Sequence, residues 1–310
     1  MIRLQRVSNE EQEEKYYNLL IANRKYNQLE VICEKNFEKN LKKIVLMSPD
    51  EIQEFVREFD SKDEQYKDHV KEEFMHITRK GKESYYIIDV LYKTMPEEAR
   101  NIVYMAANSK TCPYCNSNFV NMIKVNNTGE EVFYKSTFEL DHFYSKSDYP
   151  MLAVSLYNLI PVCSACNRLK GRKTFGYYPY AAKSSWAAKF SFNILNCNMS
   201  KVEDIELKIE FEDEIEKEME QSLYLQKLYE NHKDIALEII QKANFQGKGY
   251  MESLTKQLGT LFPDKADIYK LIYGNYLKED DWTRRPLAKF TYDIAKEVLQ
   301  TYGIDIDTME

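Results

Sequence analysis

The chain of 310 residues is long enough for two or three domains, and its 44% hydrophobic content gives it the material for a packed core. Its 43 Lys and Arg against 50 Asp and Glu leave a net charge of −7, which excludes a free-standing protein that coats nucleic acid through overall positive charge; a local basic surface or a partner must supply any such attraction. No run is apolar enough for a transmembrane segment and the amino terminus lacks a signal-peptide core, so a cytoplasmic protein without membrane attachment is expected.

The predicted elements start with a long helix, opened by a capping box at Ser8 and Glu11 and carrying apolar positions from Tyr16 through Leu20, Ile32 and Phe37 to Ile44. Ser48-Pro49-Asp50-Glu51 is a second helix start, with proline at the first helical position. Helical spacing continues through Phe55, Phe59, Val70, Phe74 and Ile77, and again through Tyr86, Ile87, Val90 and Leu91. A helix after Pro96 carries Ile102, Val103 and Met105 up to a cysteine pair. Residues 119–125 and 131–134 read as a hairpin across Asn126-Asn127-Thr128-Gly129. The stretch 174–186 is loop-like and aromatic, and the tyrosines Tyr177, Tyr178 and Tyr180 within it suit packing better than stacking on bases. Residues 208–211 form a short strand, the acidic stretch 203–220 is a solvated helix face, 215–245 is helical up to Gly247 and Gly249, and a last helix spans 286–301. The expected fold is mainly α with a small central α+β module. A helical region at 1–108, the module at 109–180 and a mostly helical region at 181–310 divide the chain.

The module holds the chemistry. Cys112-Pro113-Tyr114-Cys115 and Cys163-Ser164-Ala165-Cys166 are two Cys-x-x-Cys turns, each able to aim both sulfurs at one ion. Two such turns give four thiolates, a closed tetrahedral zinc site with no open position, so that zinc is structural and the chemistry belongs to other residues. Thiols kept for metal suit a reducing compartment. Cys33 and Cys197 match no ligand spacing and read as small buried hydrophobes. Between the pairs, Asp141-His142 sits among the β-forming Phe138, Leu140 and Phe143, at an expected strand end. There Asp141 can bind a divalent cation and His142 can face a water. His69, His76 and His232 lie in charged, helical-looking stretches and read as ordinary positions. The basic run Arg168, Lys170, Arg172 and Lys173 follows the second cysteine pair and suits phosphate backbone contacts.

Taken together, the Cys-x-x-Cys turn, Asp141-His142, the segment Tyr157-Asn158-Leu159-Ile160-Pro161-Val162-Cys163-Ser164-Ala165-Cys166-Asn167 and the basic tail resemble HNH endonucleases of the ββα-metal type over residues 109–175. The resemblance implies that His142 is the general base for the attacking water, that Asp141 is a ligand of a catalytic Mg²⁺ or Mn²⁺, that Asn158 braces the loop and orients His142, and that Asn167 is the second metal ligand, where the family often has histidine. The whole chain, with Glu139-Leu140-Asp141-His142-Phe143-Tyr144 and the stretch 284–294, is similar to HNH subunits of Septu-type and retron-linked bacterial anti-phage systems. That likeness implies DNA as substrate and an ABC-like ATPase partner in a hetero-oligomer. The same residues fit an RNA-directed (tRNA) nuclease toxin, or a zinc-stapled adaptor without catalysis, against which the retention of Asp141, His142 and Asn158 argues.

Overall fold

The structure is a computed structural model and describes residues 2–22, 26–77, 84–86, 92–126, 132–181, 188–196, 200–245, 248–258, 261–262 and 264–307. Helix accounts for 54% of the chain, and every sheet among the described residues has two strands, which makes the fold mainly α with small α+β parts. Contacts divide the chain into two compact units: Arg3–Ser109 with Val120–Ser184, and Met1–Ile2 with Lys110–Phe119 and Ser185–Glu310.

The first unit opens with α1 (Glu10–Ile21), α2 (Tyr26–Phe37) and α3 (Leu41–Val45) where one long helix was expected. Glu38 takes a left-handed φ of 52° after α2, and Asn40 caps α3 by accepting from the Lys43 amide, so the chain restarts. The N-cap of α1 is Asn9, not Ser8: Asn9 accepts from the Gln12 amide at 2.9 Å, while the Ser8 hydroxyl donates to Glu13 at 2.8 Å. The expected start at Ser48 holds, with Pro49 and a complete Ser48–Glu51 capping box opening α4 (Pro49–Asp60). Helix α5 (Glu64–Glu73) ends at Phe74. Helical spacing fails beyond it, because His76 and Ile77 lie in β1 (Met75–Ile77), antiparallel to β2 (Ser84–Tyr86), which contains Tyr86. Ile87, Val90 and Leu91 lie outside the described residues.

Helix α6 (Glu97–Ala107) follows Pro96 as expected and buries Ala99, Ile102 and Val103. The expected hairpin is β3 (Met122–Asn126) paired with β4 (Val132–Ser136); its turn lies outside the described residues. Strand β5 (Glu139–His142) pairs with β6 (Leu159–Val162), setting His142 opposite Leu159 and Asp141 opposite Ile160. Helix α7 (Ser164–Lys170) follows at once, and β5, β6 and α7 make a ββα unit. The described part of the stretch after it holds neither strand nor helix, and it buries Tyr178 and Tyr180, which packs them as expected and leaves no ring face for bases.

In the second unit β7 (Lys189–Ile194) pairs with β8 (Ile205–Glu210). The sequence reading found only the last part of β8 and passed over β7. Strand β8 alternates strictly, with Ile205, Leu207 and Ile209 buried. The segment 203–220 is therefore not one solvated helix face. It contains β8, and two of its acids face inward as backbone acceptors: Asp204 takes the Ser200 and Lys201 amides, and Glu216 takes those of Ala188 and Glu212. The helix expected over 215–245 is three: α8 (Glu214–Leu223), α9 (Leu225–Glu230) and α10 (Lys233–Phe245). Tyr224 at φ 52° forms the first break. Helices α11 (Lys248–Leu258) and α12 (Lys265–Tyr273) were not foreseen, and α13 (Ala288–Thr301) starts two residues later than expected, after Leu287 at φ 62°. In this unit α13 packs on β7 and on α10.

Candidate active site and metal centre

The first cysteine turn is shaped by its own backbone. The Cys112 amide donates to Asn118 O at 2.9 Å, and the Asn116 amide donates back to Cys112 O at 2.8 Å. Closing so tight a turn sends Asn116 to φ 51°, a left-handed conformation that asparagine tolerates better than most residues. The Ser117 amide and hydroxyl point at Cys115 Sγ from 3.5 and 3.3 Å, the donor pattern that supports an anionic sulfur. The second turn is the start of α7: Cys163 is its N-cap and Cys166 lies in its first turn.

The sulfurs of Cys112, Cys115, Cys163 and Cys166 all lie within 4.8 Å of one another, and all four residues are buried. Zinc–sulfur bonds of about 2.3 Å in a tetrahedron place sulfurs somewhat under 4 Å apart, so the cluster is compatible with a structural zinc. Cys33 is buried alone and burial pushes its thiol up to about 12, in keeping with an inert core position; Cys197 lies outside the described residues. Of the other histidines, His69 is exposed beside Glu73, and burial lowers the half-buried His232; neither belongs to the module.

Strand β5 sends alternate side chains to opposite faces. On one face are Glu139 and Asp141, both met by α7: Asn167 Nδ2 donates to Glu139 Oε2, and Lys170 Nζ lies 3.2 and 3.0 Å from the two oxygens of Asp141. On the other face is the buried His142, whose Nε2 is 2.9 Å from Ala153 O. A carbonyl oxygen only accepts, so Nε2 carries a proton. Tyr92 packs on this ring at 4.7 Å between centroids.

Asn158 is fully buried where the 143–158 loop closes. Its Oδ1 accepts from the Tyr144 amide at 2.9 Å, and its Nδ2 donates to Tyr144 O and Leu152 O at 3.1 and 3.0 Å. It reaches His142 only indirectly, through the loop that holds Ala153 in place. Asn167 is half-buried. Its amide nitrogen is turned to Glu139, which leaves the carboxamide oxygen as the donor for a cation.

The basic run divides. Arg168, Arg172 and Lys173 are exposed, as contacts to a phosphate backbone require. Lys170 does not fit that expectation: its side chain has no exposed surface, and it donates to Asp141 and to His142 O instead. Burial pulls its amine down from the ordinary lysine value, with Asp141 opposing that shift. The helical spacing of Lys170 from Asn167 contains this information, because residues i and i+3 share a helix face. Sequence reasoning also missed Glu139 and the cations over Tyr92, which are Arg100 at 5.0 Å and Lys146 at 5.3 Å from the ring centroid. No local spacing ties Arg100 or Tyr92 to the module, so only the fold reveals them.

Two antiparallel strands, a helix and a four-cysteine cluster make up a small ββα module. In agreement, the family model described as HNH endonuclease matches residues 112–173. No curated protein and no solved structure matches the chain. No helix among the described residues is long and apolar enough to cross a membrane.

Proposed function

We propose that the chain is a metal-dependent endonuclease that hydrolyses phosphodiester bonds of DNA, with His142 as general base. The observation that carries this reading is the His142–Ala153 hydrogen bond, which fixes the ring's orientation with a proton on Nε2 and so assigns the role of base to Nδ1. A base placed in this way contributes about 10² to 10⁴ in rate. Asp141 and Asn167 offer one carboxylate and one carboxamide oxygen, a hard and sparse donor set that fits Mg²⁺ or Mn²⁺. A cation held there would stabilise charge developing on the phosphate. Arg168, Arg172 and Lys173 are exposed and would draw in the backbone, which the net charge of −7 otherwise repels. Asn158 fixes the loop that carries Ala153, and so acts on the base from a distance.

The test is plasmid nicking by the purified chain. Cleavage is expected with Mg²⁺ or Mn²⁺, is expected to stop in mild EDTA while zinc stays bound, and is expected to return with added Mg²⁺ or Mn²⁺. Full-rate cleavage by a folded His142→Ala protein overturns the assignment of the base. Cleavage of RNA alone transfers the reading to an RNA-directed nuclease, and cleavage of neither polymer leaves the zinc-stapled adaptor. The wider role, in a bacterial anti-phage system with an ABC-like ATPase, is supported by the sequence resemblance. Purification from the native host tests it, through the presence or absence of an ATPase in the complex.

A further inference from the structure

Lys170 is the last residue of α7, and its side chain is wholly enclosed. Lysines are almost never found so unless paired. Its ammonium meets Asp141 Oδ1 at 3.2 Å, Asp141 Oδ2 at 3.0 Å and His142 O at 2.8 Å, and stands 6.0 Å from the ring centroid of Phe143. One side chain therefore holds two consecutive residues of the site and lies over the ring of the next. Energy alone does not call for it: a buried ion pair is often no more stabilising than apolar side chains of the same volume. What a tetrahedral ammonium provides, and a methionine does not, is directional hold on a carboxylate and a carbonyl together. The helix end is fixed as well, since Gly171 turns the chain at φ +57°, a conformation open to glycine.

We propose that Lys170 is a positioning residue, an internal cation that aligns Asp141 and the His142 backbone and weakens the hold of Asp141 on a divalent ion. The proposal rests on the phosphodiesterase reading for its effect on rate, and on geometry alone for its effect on the ion. A monovalent charge in contact with both oxygens of a carboxylate repels a second cation on the same group, and burial screens that repulsion little. Asp141 then holds an exchangeable ion loosely, and its carboxylate stays aligned when no ion is there.

Two readouts on Lys170→Met test this. Mn²⁺ binding to the zinc-loaded chain, measured by calorimetry without nucleic acid, is expected to tighten about tenfold or more once the repelling charge is gone. In cleavage, kcat is expected to fall about tenfold or more with KM within about twofold, as for an interaction made in the transition state. A space-filling role predicts a lower melting temperature only. A folded Lys170→Met protein with wild-type Mn²⁺ affinity and kcat overturns the proposal, and so does weakened Mn²⁺ binding. If this variant does not fold, Lys170→Gln carries the same two readouts, since it keeps hydrogen-bond donors and drops the charge. Tightened Mn²⁺ binding in a chain whose wild type cleaves neither DNA nor RNA leaves the Lys170–Asp141 assignment standing and removes the nuclease reading.

Discussion

Asn158→Ala isolates the bracing role from the chemistry. The side chain makes three hydrogen bonds in a site with 0% exposure, at 2.9, 3.1 and 3.0 Å. Each is worth about 1 kcal/mol net, and a buried group left without a partner costs about 1 to 3 kcal/mol. Leu152 O keeps a bond from the Ser155 amide at 3.0 Å, so the loss falls on the amide and carbonyl of Tyr144. The sum is roughly 3 to 5 kcal/mol. At about 2 to 4 °C per kcal/mol for domains of about 150 to 250 residues, the melting temperature falls by roughly 6 to 20 °C. Thermal melts followed by circular dichroism give this number directly. Asn158→Asp sharpens the test: a carboxylate can accept the Tyr144 amide but faces two carbonyl oxygens, so it is expected to be no more stable than the alanine variant near pH 7. Cleavage measured well below both melting points is expected to drop as well, because Ala153 loses its support. An Asn158→Ala protein that melts within about 2 °C of the wild type refutes the bracing argument, whatever its activity.

Three further outcomes are expected. His142→Ala removes the hydrogen bond to Ala153 O and the contact with the Tyr92 ring, and cleavage is expected to fall by about 10² or more while the melting temperature changes less than in Asn158→Ala, as compared in parallel melts. Cys166→Ser is expected to lose zinc by elemental analysis and to lower both soluble yield and melting temperature, since structural zinc supplies about 10 to 16 kcal/mol of apparent binding energy; a metal-free, folded and active chain refutes the closed site. Burial, with Glu210 beside it, raises the Glu297 carboxyl to about 7 from 4.5, so the folded state holds a proton that the unfolded state releases and stability falls as pH rises between those values. Glu297→Gln is therefore expected to melt higher than the wild type near pH 8 and equally near pH 4; an equal gap at both values refutes the assignment.

Much of the architecture could be read from the sequence where local signals are strong. Ser48-Pro49-Asp50-Glu51 carries a cap, a proline and a reciprocal glutamate, and α4 starts there. Signals that are only periodic did less well. Tyr16 to Ile44 keeps one apolar spacing across α1, α2 and α3, and the spacing does not show that Glu38 turns left-handed or that Asn40 restarts the helix. Tyr224 breaks the 215–245 stretch in the same way, without a glycine or proline to announce it. Strand β7 escaped because Phe190 is its one fully inward position, with Ser191 and Phe192 half-buried, so the alternation is too weak to see without its partner β8. The buried acids Asp204 and Glu216 were read as solvated because an acid that caps backbone amides has the same letters as one that faces water.

Within the site, the seven residues of α7 and its N-cap Cys163 explain why so much chemistry fits in so little chain. Cys163, Cys166, Asn167 and Lys170 follow the spacing i, i+3, i+4, i+7 and so form one stripe. Two of them belong to the thiolate cluster, one meets Glu139, and one meets Asp141. A helix of two turns has no stability of its own in water, where about 12 to 15 residues are the margin. It exists here because both ends are held: the cysteines fix the start, and the buried ion pair with Gly171 fixes the finish. A zinc at the thiolates would thus act on the reaction without touching it. If the start of α7 is released, Asn167 and Lys170 lose their register against β5, and with it the alignment of Asp141 and the backbone of His142. The basic run after the cysteines is then two features superposed. Arg168, Arg172 and Lys173 are exposed, and Lys170, on the inward stripe, meets Asp141 and the backbone of His142.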